Sequence, residues 1–465
     1  MSTALPEDFK NRMKTQLGGQ YASFIESYEN TPVRSFRLNI CRSEGIDRAH
    51  LSRIMAGSDT PDQVPHCNFA YYYDDAAPGK TALHEAGACY IQEASAMLPV
   101  TMLDVNDSGQ KILDLCAAPG GKSTQIADLM RGAGLLVSNE IIPSRAQILS
   151  ENIERMGVAN ALVISSDPQK LTGRFGGFFD RILVDAPCSG EGMFRKNPEA
   201  VSEWSIDNVK MCSERQDMLL DCAVSMLSED GRIVYSTCTF APLEDEEAAQ
   251  RFLERHPDFE ICEGPVKLYP HAFRGEGHFA VAFMRRSEIG NGIVSGFSPS
   301  SVGRRNAAKP LNALIDELSS TARENDRKRL LGEWLDNSGF STAAGDCYDR
   351  ILTFGDSIYL APEYTCDLSG LKVLRAGIKL GTFKKNRFEP DHALSHCLTK
   401  DDVDLYLDLP NDSGEIKQYL SGMTLNCDKD MKGWCLICVD GFGLGWAKAV
   451  GGILKNHYPK GLRQG

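Results

Sequence analysis

Two cysteines occur where a thiol could react instead of merely packing. Cys188 lies in Asp185-Ala-Pro-Cys-Ser-Gly190 and Cys238 in Tyr235-Ser-Thr-Cys-Thr239, each directly after a short apolar run. A single cysteine is ordinarily a small buried hydrophobe, kept protonated and inert by its surroundings. Two in polar turns, each at the end of a strand-like run, instead suggest a thiolate nucleophile with a helper. Spacing leaves open which of them attacks.

A third stretch, Ile112-Leu-Asp-Leu-Cys-Ala-Ala-Pro-Gly-Gly-Lys-Ser-Thr124, reads as a strand entering a small-residue turn and then a helix. In a doubly wound sheet this turn is where a nucleotide-like ligand sits, because glycines let the backbone approach it. Cys116 stands where a phosphate loop needs glycine ahead of Gly121-Lys122-Ser123, and no Gly-x-Gly-x-x-Gly occurs, so triphosphate and dinucleotide sites are disfavoured. Glu140 ends the next strand twenty residues beyond Gly120, the offset of an acid that accepts ribose hydroxyls. Asp167 and Asp185 end the following two. Any one of these could be a helix cap. Four carboxylates at successive strand ends, counting Asp114, favour an adenosyl ligand and hence S-adenosylmethionine-dependent methyl transfer.

Methyl transfer gives the thiols a purpose. Carbon 5 of cytosine attacks a methylsulfonium only after a nucleophile has added to carbon 6, and a thiolate suits that conjugate addition. A base must later remove the carbon 5 proton so that the sulfur can leave. A carboxylic acid of raised pKa at nitrogen 3 would ease the addition, and Asp185 is placed for it. A base reaching such a pocket must be unstacked, so single-stranded or splayed RNA is the expected partner.

Short apolar runs alternate with helix-length segments from 111 to 284, the pattern of a parallel sheet wound with helices. Strands are predicted at 111–115, 134–138, 161–164, 179–184 and 231–236, with a later pair at 259–262 and 279–284. Helices are predicted at 123–130, 144–156 and 207–227, the last on an apolar stripe of Val209, Met211, Cys212, Met218, Leu219 and Ala223. The fold class is therefore α/β, a Rossmann-like core. We expect an N-terminal α+β RNA-binding region at 1–100, with the cationic run Val33-Arg-Ser-Phe-Arg-Leu-Asn-Ile40, the core at 101–286, and a Gly- and Ser-rich linker at 287–310. A separate α+β appendage at 311–465 completes the chain.

No apolar run approaches the ~20 residues that span a bilayer and no secretory signal opens the chain, so a cytoplasmic protein without membrane contact is expected. Scattered cysteines in such a chain are expected to be reduced, and Cys435 and Cys438, without a second ligand pair, to be buried strand residues. No metal and no obligate protein partner are expected. A net charge of −13 opposes an acidic partner, but cations cluster locally. Lys372, Arg375, Lys379, Lys384, Lys385 and Arg387 fall in one stretch without an acid, and Lys455 and Arg463 in another; interleaved Phe383, Phe388, Phe442, Trp446 and Tyr458 suit RNA.

The runs at 114–122, 185–190 and 235–239, in that order, resemble the Nol/Nop/Sun family of RNA cytosine-5 methyltransferases. The likeness extends through Arg37-Leu-Asn39, Tyr90-Ile-Gln-Glu93 and Gly275-Glu-Gly-His278. It implies Cys238 as nucleophile and Cys188 as the cysteine assisting release of methylated RNA. Pro-Cys carries the nucleophile in DNA cytosine-5 methyltransferases, so without this resemblance Cys188 would have been chosen. The resemblance also implies Asp185 and Lys122 as active-site polar groups, and places Cys116, Ala117, Ala118, Pro119, Gly120, Gly121, Lys122, Glu140, Asp167 and Asp185 around the cofactor.

Leu374-Arg-Ala-Gly377, Asn386-Arg-Phe-Glu-Pro390, Leu444-Gly-Trp446 and Lys455-Asn-His-Tyr-Pro-Lys-Gly-Leu-Arg463 resemble the bacterial RsmF-like subgroup. This implies a PUA-like RNA-binding domain and small-subunit ribosomal RNA, or the subunit itself, as substrate. Relatives often carry Asn where this chain has Asp245; as that residue follows the catalytic turn, little consequence is expected. Transfer RNA as substrate, or a catalytically idle RNA-binding assembly factor, are the competing readings. A pure binder has no need of both thiols.

Overall fold

Near-continuous aliphatic runs suit strands covered on both faces, and these runs form the centre of a computed structural model that describes residues 5–286, 351–362, 364, 368–384 and 387–464. The expected linker and Lys385 lie outside the described residues. An N-terminal four-stranded sheet holds β1 (Ser35–Leu38), β2 (Gln63–Val64), β3 (Cys67–Tyr72) and β4 (Cys89–Ile91) in the order β2-β3-β1-β4. The core supplies β5 (Lys111–Asp114), β6 (Leu135–Asn139), β7 (Ala161–Ile164), β8 (Phe179–Asp185), β9 (Leu227–Thr237), β10 (Phe259–Leu268) and β11 (His278–Arg285). Strands β5 to β9 pair in parallel, while β10 and β11 close one edge antiparallel. From β5 the chain winds first through β6 and β7 and then to β8 and β9 on the other side. That reversal between β5 and β8 opens a crevice at the carboxyl ends of the strands.

Helices Gly121–Met130, Pro143–Arg155 and Ile206–Met226 lie where the periodicity put them. One part of the predicted stripe is corrected: Val209, Cys212, Leu219 and Ala223 are buried, but Met211 and Met218 face solvent. The helix turns 100° per residue, so a face wide enough for all six would exceed what the sheet covers.

The remaining strands are β12 (Ile351–Phe354), β13 (Ser357–Leu360), β14 (Val373–Ala376), β15 (Ile378–Lys384), β16 (Arg387–Pro390), β17 (Tyr406–Leu409), β18 (Leu425–Asn426), β19 (Gly433–Val439), β20 (Phe442–Val450) and β21 (Ile453–Asn456). The C-terminal region is not separate, because β14 pairs antiparallel with β7 and extends the core sheet. Phe36 and Leu38 of β1 also share a core with Tyr419, Ile437 and Leu444. Cys435 and Cys438 are fully buried on opposite faces of β19, one in that core and the other beside Trp446 and Phe388. The interleaved aromatics are likewise interior: Phe383, Phe388, Phe442, Trp446 and Tyr458 are all buried, so none offers a stacking face to RNA.

Candidate active site

The loop after β5 is fixed from behind by an arginine. Arg37 of β1 is fully buried, pairs with Asp128, and donates to Thr124 Oγ1 at 2.7 Å, Gln92 Oε1 at 3.2 Å and the Gly121 carbonyl at 3.3 Å. Through this residue the cationic run is a bolt between the N-terminal sheet and the helix that follows the cofactor loop. Gly120 has φ +113°, and a Cβ there would meet Leu149 at 3.1 Å, which is why glycine is needed.

At the strand ends, Asp114 is fully buried; Ser123 donates to its Oδ2 at 2.6 Å while Oδ1 has no partner. Burial pushes its carboxyl up to about 7. An orphaned buried acceptor beside a glycine turn fits the amino group of an adenosyl amino-acid cofactor. Glu140 is buried, accepts from the Ile142 amide at 2.9 Å and pairs with Arg145 at 3.2 Å. Asp167 caps a short helix, accepting from the Gln169 amide at 2.9 Å, so its cap role is realised. Cys116 is half-buried, and desolvation together with Asp114, Asp185 and Glu140 pushes its thiol well up.

Asp185 departs from expectation. Lys122 pairs with its Oδ2 at 2.8 Å, Ser236 Oγ donates to Oδ1 at 2.8 Å, and His278 Nε2 lies 3.5 Å away. Burial alone would raise this carboxyl, but Lys122 and His278 outweigh it and hold it far below the ordinary carboxylate range. Asp185 is therefore an ionised acceptor and not the raised-pKa acid anticipated; the proton-bearing member of the pair is Lys122, whose ammonium Asp185 stabilises against burial.

The two cysteines meet, with Sγ atoms 3.3 Å apart. Contact with Cys238 and burial push the Cys188 thiol well up. Glu244, buried and unremarked at sequence level, joins their loops: it accepts from the Ser189 amide at 2.9 Å, from the Ser189 hydroxyl, and from Gln216 Nε2 at 2.9 Å. Ser189 Oγ lies 2.9 Å from Thr239 Oγ1, and the Gly192 amide donates to the Cys238 carbonyl at 2.8 Å. Glu191 ties the same loops to the N-terminal helix Glu7–Leu17, taking the Phe240 amide at 3.1 Å, Trp204 Nε1 at 2.8 Å and Arg12. A buried glutamate three to six residues after each cysteine was the available signal for both.

The site thus unites Lys122, Asp185, Cys188 and Cys238 and adds His278, with Asp114 and Glu140 at the adjoining strand ends. The proposed RNA cations divide differently. Lys372, Lys384 and Lys455 are exposed, and Arg387 is exposed beside Glu389 at 2.6 Å. Arg375 is corrected: it pairs with Glu154 and donates to Ser150 Oγ at 3.2 Å, fastening β14 to the core. Arg463 donates to the Tyr458 carbonyl at 3.1 Å. Among the described residues no helix is long and apolar enough to cross a membrane, no group of three His, Cys, Asp or Glu is arranged to hold a metal, and no cysteine is in a disulfide.

Comparison with known proteins gives a family match along most of the chain. Residues 100–285 match a model described as 16S rRNA methyltransferase RsmB/F, residues 5–94 the N-terminal domain of 16S rRNA methyltransferase RsmF, residues 334–398 the RsmF first C-terminal domain, and residues 407–464 the RsmF PUA domain. A ribosomal RNA small subunit methyltransferase F from Aeromonas salmonicida is 32% identical, over 99% of this chain and 98% of its own. Among solved structures, a methyltransferase homologue from Pyrococcus horikoshii is 27% identical with a TM-score of 0.54, covering 61% of this chain and 96% of that one. NSun6 from the same organism shares the fold at 19% identity and a TM-score of 0.53, covering 61% and 99%.

Proposed function

The chain belongs to the RsmB/F family of 16S rRNA methyltransferases, and from that premise we propose that it methylates carbon 5 of a cytosine in small-subunit ribosomal RNA through a covalent adduct with Cys238. S-adenosylmethionine, when bound, supplies an electrophilic methyl group on a sulfonium; Asp114, Glu140 and the loop from Cys116 to Lys122 would hold it. The observation that carries the reading is the pair of thiols at 3.3 Å beside a Lys122–Asp185 ion pair at 2.8 Å.

Cys238 Sγ bonds to carbon 6, the carbon 5–carbon 6 electrons become available at carbon 5, and nitrogen 3 takes a proton. Asp185, ionised, accepts from the exocyclic amino group or the protonated ring nitrogen, and Lys122 is the adjacent proton source. Once carbon 5 carries the methyl group, a base takes its proton, the electrons of that C–H bond re-form the carbon 5–carbon 6 double bond, the carbon 6–sulfur bond breaks to release Cys238 as a thiolate, and nitrogen 3 returns its proton to Lys122. Cys188 acts in this second half, the release.

The test is a pair of variants incubated with small-subunit RNA and cofactor. We expect Cys238→Ala to form no adduct and no 5-methylcytosine, and Cys188→Ala to accumulate a denaturant-resistant protein–RNA adduct. An active Cys238→Ala, or an adduct in that variant, would overturn the roles. Bisulfite sequencing of RNA from cells lacking the gene then names the cytidine; a signal lost from transfer RNA instead would overturn the substrate.

A further inference from the structure

The turn that carries Cys238 rests on a buried charge pair that the proposed chemistry does not use. Asp245, for which little consequence was expected, is fully buried. Its Oδ1 accepts from Thr237 Oγ1 at 2.6 Å, and the same Thr237 oxygen receives the Thr239 amide at 3.4 Å. One hydroxyl therefore closes the backbone across Cys238, and Asp245 anchors that hydroxyl. From β10, Lys267 brings its ammonium to 2.8 Å from Asp245 Oδ2 and 2.8 Å from Glu246, and to 3.4 Å from the Phe240 carbonyl. The pair thus touches the residue before Cys238 and the second residue after it. Burial pushes the Asp245 carboxyl up to about 8 even against the pull of Lys267, so removing the lysine leaves a buried acid without its counter-charge.

We propose that Asp245 and Lys267 are positioning residues for Cys238, a foot beneath the nucleophile turn that sets where the thiol points, with Lys267 present because position 245 holds a carboxylate. The inference rests on Cys238 being the nucleophile. Asn at 245 would keep an oxygen for Thr237 and need no cation, so the lysine and the acid are coupled to one another and not separately to the reaction.

The experiment measures kcat and KM of the full chain on transcribed small-subunit RNA, with the rate of adduct formation at Cys238 as a second readout. Asp245→Ala and Thr237→Val should each lower kcat by about 30-fold while both KM values stay within about twofold, since sub-ångström misplacement of a reacting group acts on the chemical step. Combining them should lower kcat no further, because they lie on one chain of contacts. Lys267→Met alone should be as damaging as Asp245→Ala, and Asp245→Asn with Lys267→Met should recover most of that loss. Unchanged kcat in Thr237→Val, multiplicative losses in the double variant, or no recovery in Asp245→Asn/Lys267→Met would each overturn the proposal. Should Asp245→Ala fail to fold, the comparison of Lys267→Met with its double variant decides alone. An active Cys238→Ala would sink the underlying reading; an inactive Cys238→Ala with a silent Thr237→Val would sink only the foot.

Discussion

Replacing Arg37 with Met tests whether the N-terminal sheet holds the cofactor loop in place. The methionine fills much of the same volume but removes the partner of Asp128 and the donors to Thr124, Gln92 and the Gly121 carbonyl. Breaking a buried ion pair from one side costs about 3–5 kcal/mol. Asp128 can soften this by taking up a proton, since burial already pushes it up to about 6 against the pull of Arg37. We therefore place the loss near the lower end, about 3 kcal/mol. The Gly121 carbonyl opens the helix behind the cofactor turn, so the KM for S-adenosylmethionine should rise by about tenfold, the equivalent of ~1.4 kcal/mol. Urea unfolding followed by tryptophan fluorescence and initial rates at varied cofactor read the two effects. Arg37→Met/Asp128→Leu should regain most of the stability, because no uncompensated charge remains. A loss under about 1 kcal/mol, or a double variant no more stable than Arg37→Met, would refute the reasoning.

Other outcomes follow from the same contacts. Asp114, raised to about 7 by burial, keeps its proton in the folded state above the pH at which the unfolded chain releases it. Stability from this group is therefore full below the ordinary carboxylate range and falls as pH rises toward 7; between pH 5 and 8 the wild type should lose about 3 kcal/mol more than Asp114→Asn, measured by urea midpoints. Lys384→Ala and Lys455→Ala should each reduce the salt slope of RNA affinity by about 0.7 to 1, whereas Arg375→Ala should leave the slope unchanged and lower stability instead. Phe388→Ala should destabilise by about 3–5 kcal/mol with RNA affinity intact in the folded fraction, separating interior aromatics from a stacking surface.

The sheet was legible because buried parallel strands leave continuous aliphatic runs, and the crevice because carboxylates recur where those runs stop. What stayed hidden depends on partners brought from distant segments. Arg37 reads as a surface cation until Asp128, 91 residues later, is known to face it. Asp185 reads as an acid awaiting a proton until Lys122 and His278 arrive from a helix and from β11 and reverse the effect of burial. Glu244 and Asp245 are two acids in an acidic stretch, and only the fold turns one toward Ser189 and the other beneath Thr237. The C-terminal aromatics misled for a related reason: alternation with lysine along a strand signals one buried and one exposed face as readily as it signals a stacking platform. Val373–Ala376 is too short to reveal which sheet it joins.

The resemblance chose Cys238, and the contact between the two sulfurs gives Cys188 a second role to test. Two thiolates whose sulfurs lie 3.3 Å apart would repel by about 5 kcal/mol at an effective dielectric near 20, so one proton stays between them. Contact with Cys238, burial and the nearby Glu244 all push the Cys188 thiol up. With Cys238 as the attacking sulfur, the shared proton lies on Cys188, whose S–H can donate across the 3.3 Å contact. Cys188→Ala removes that donor as well as the proposed release function. The adduct in this variant should therefore form more slowly than in the wild type and yet persist once formed, whereas a residue acting only in release would leave the rate of formation untouched. Rapid-quench measurement of adduct appearance separates the two, and an unchanged rate of formation would remove the proton-sharing role from Cys188.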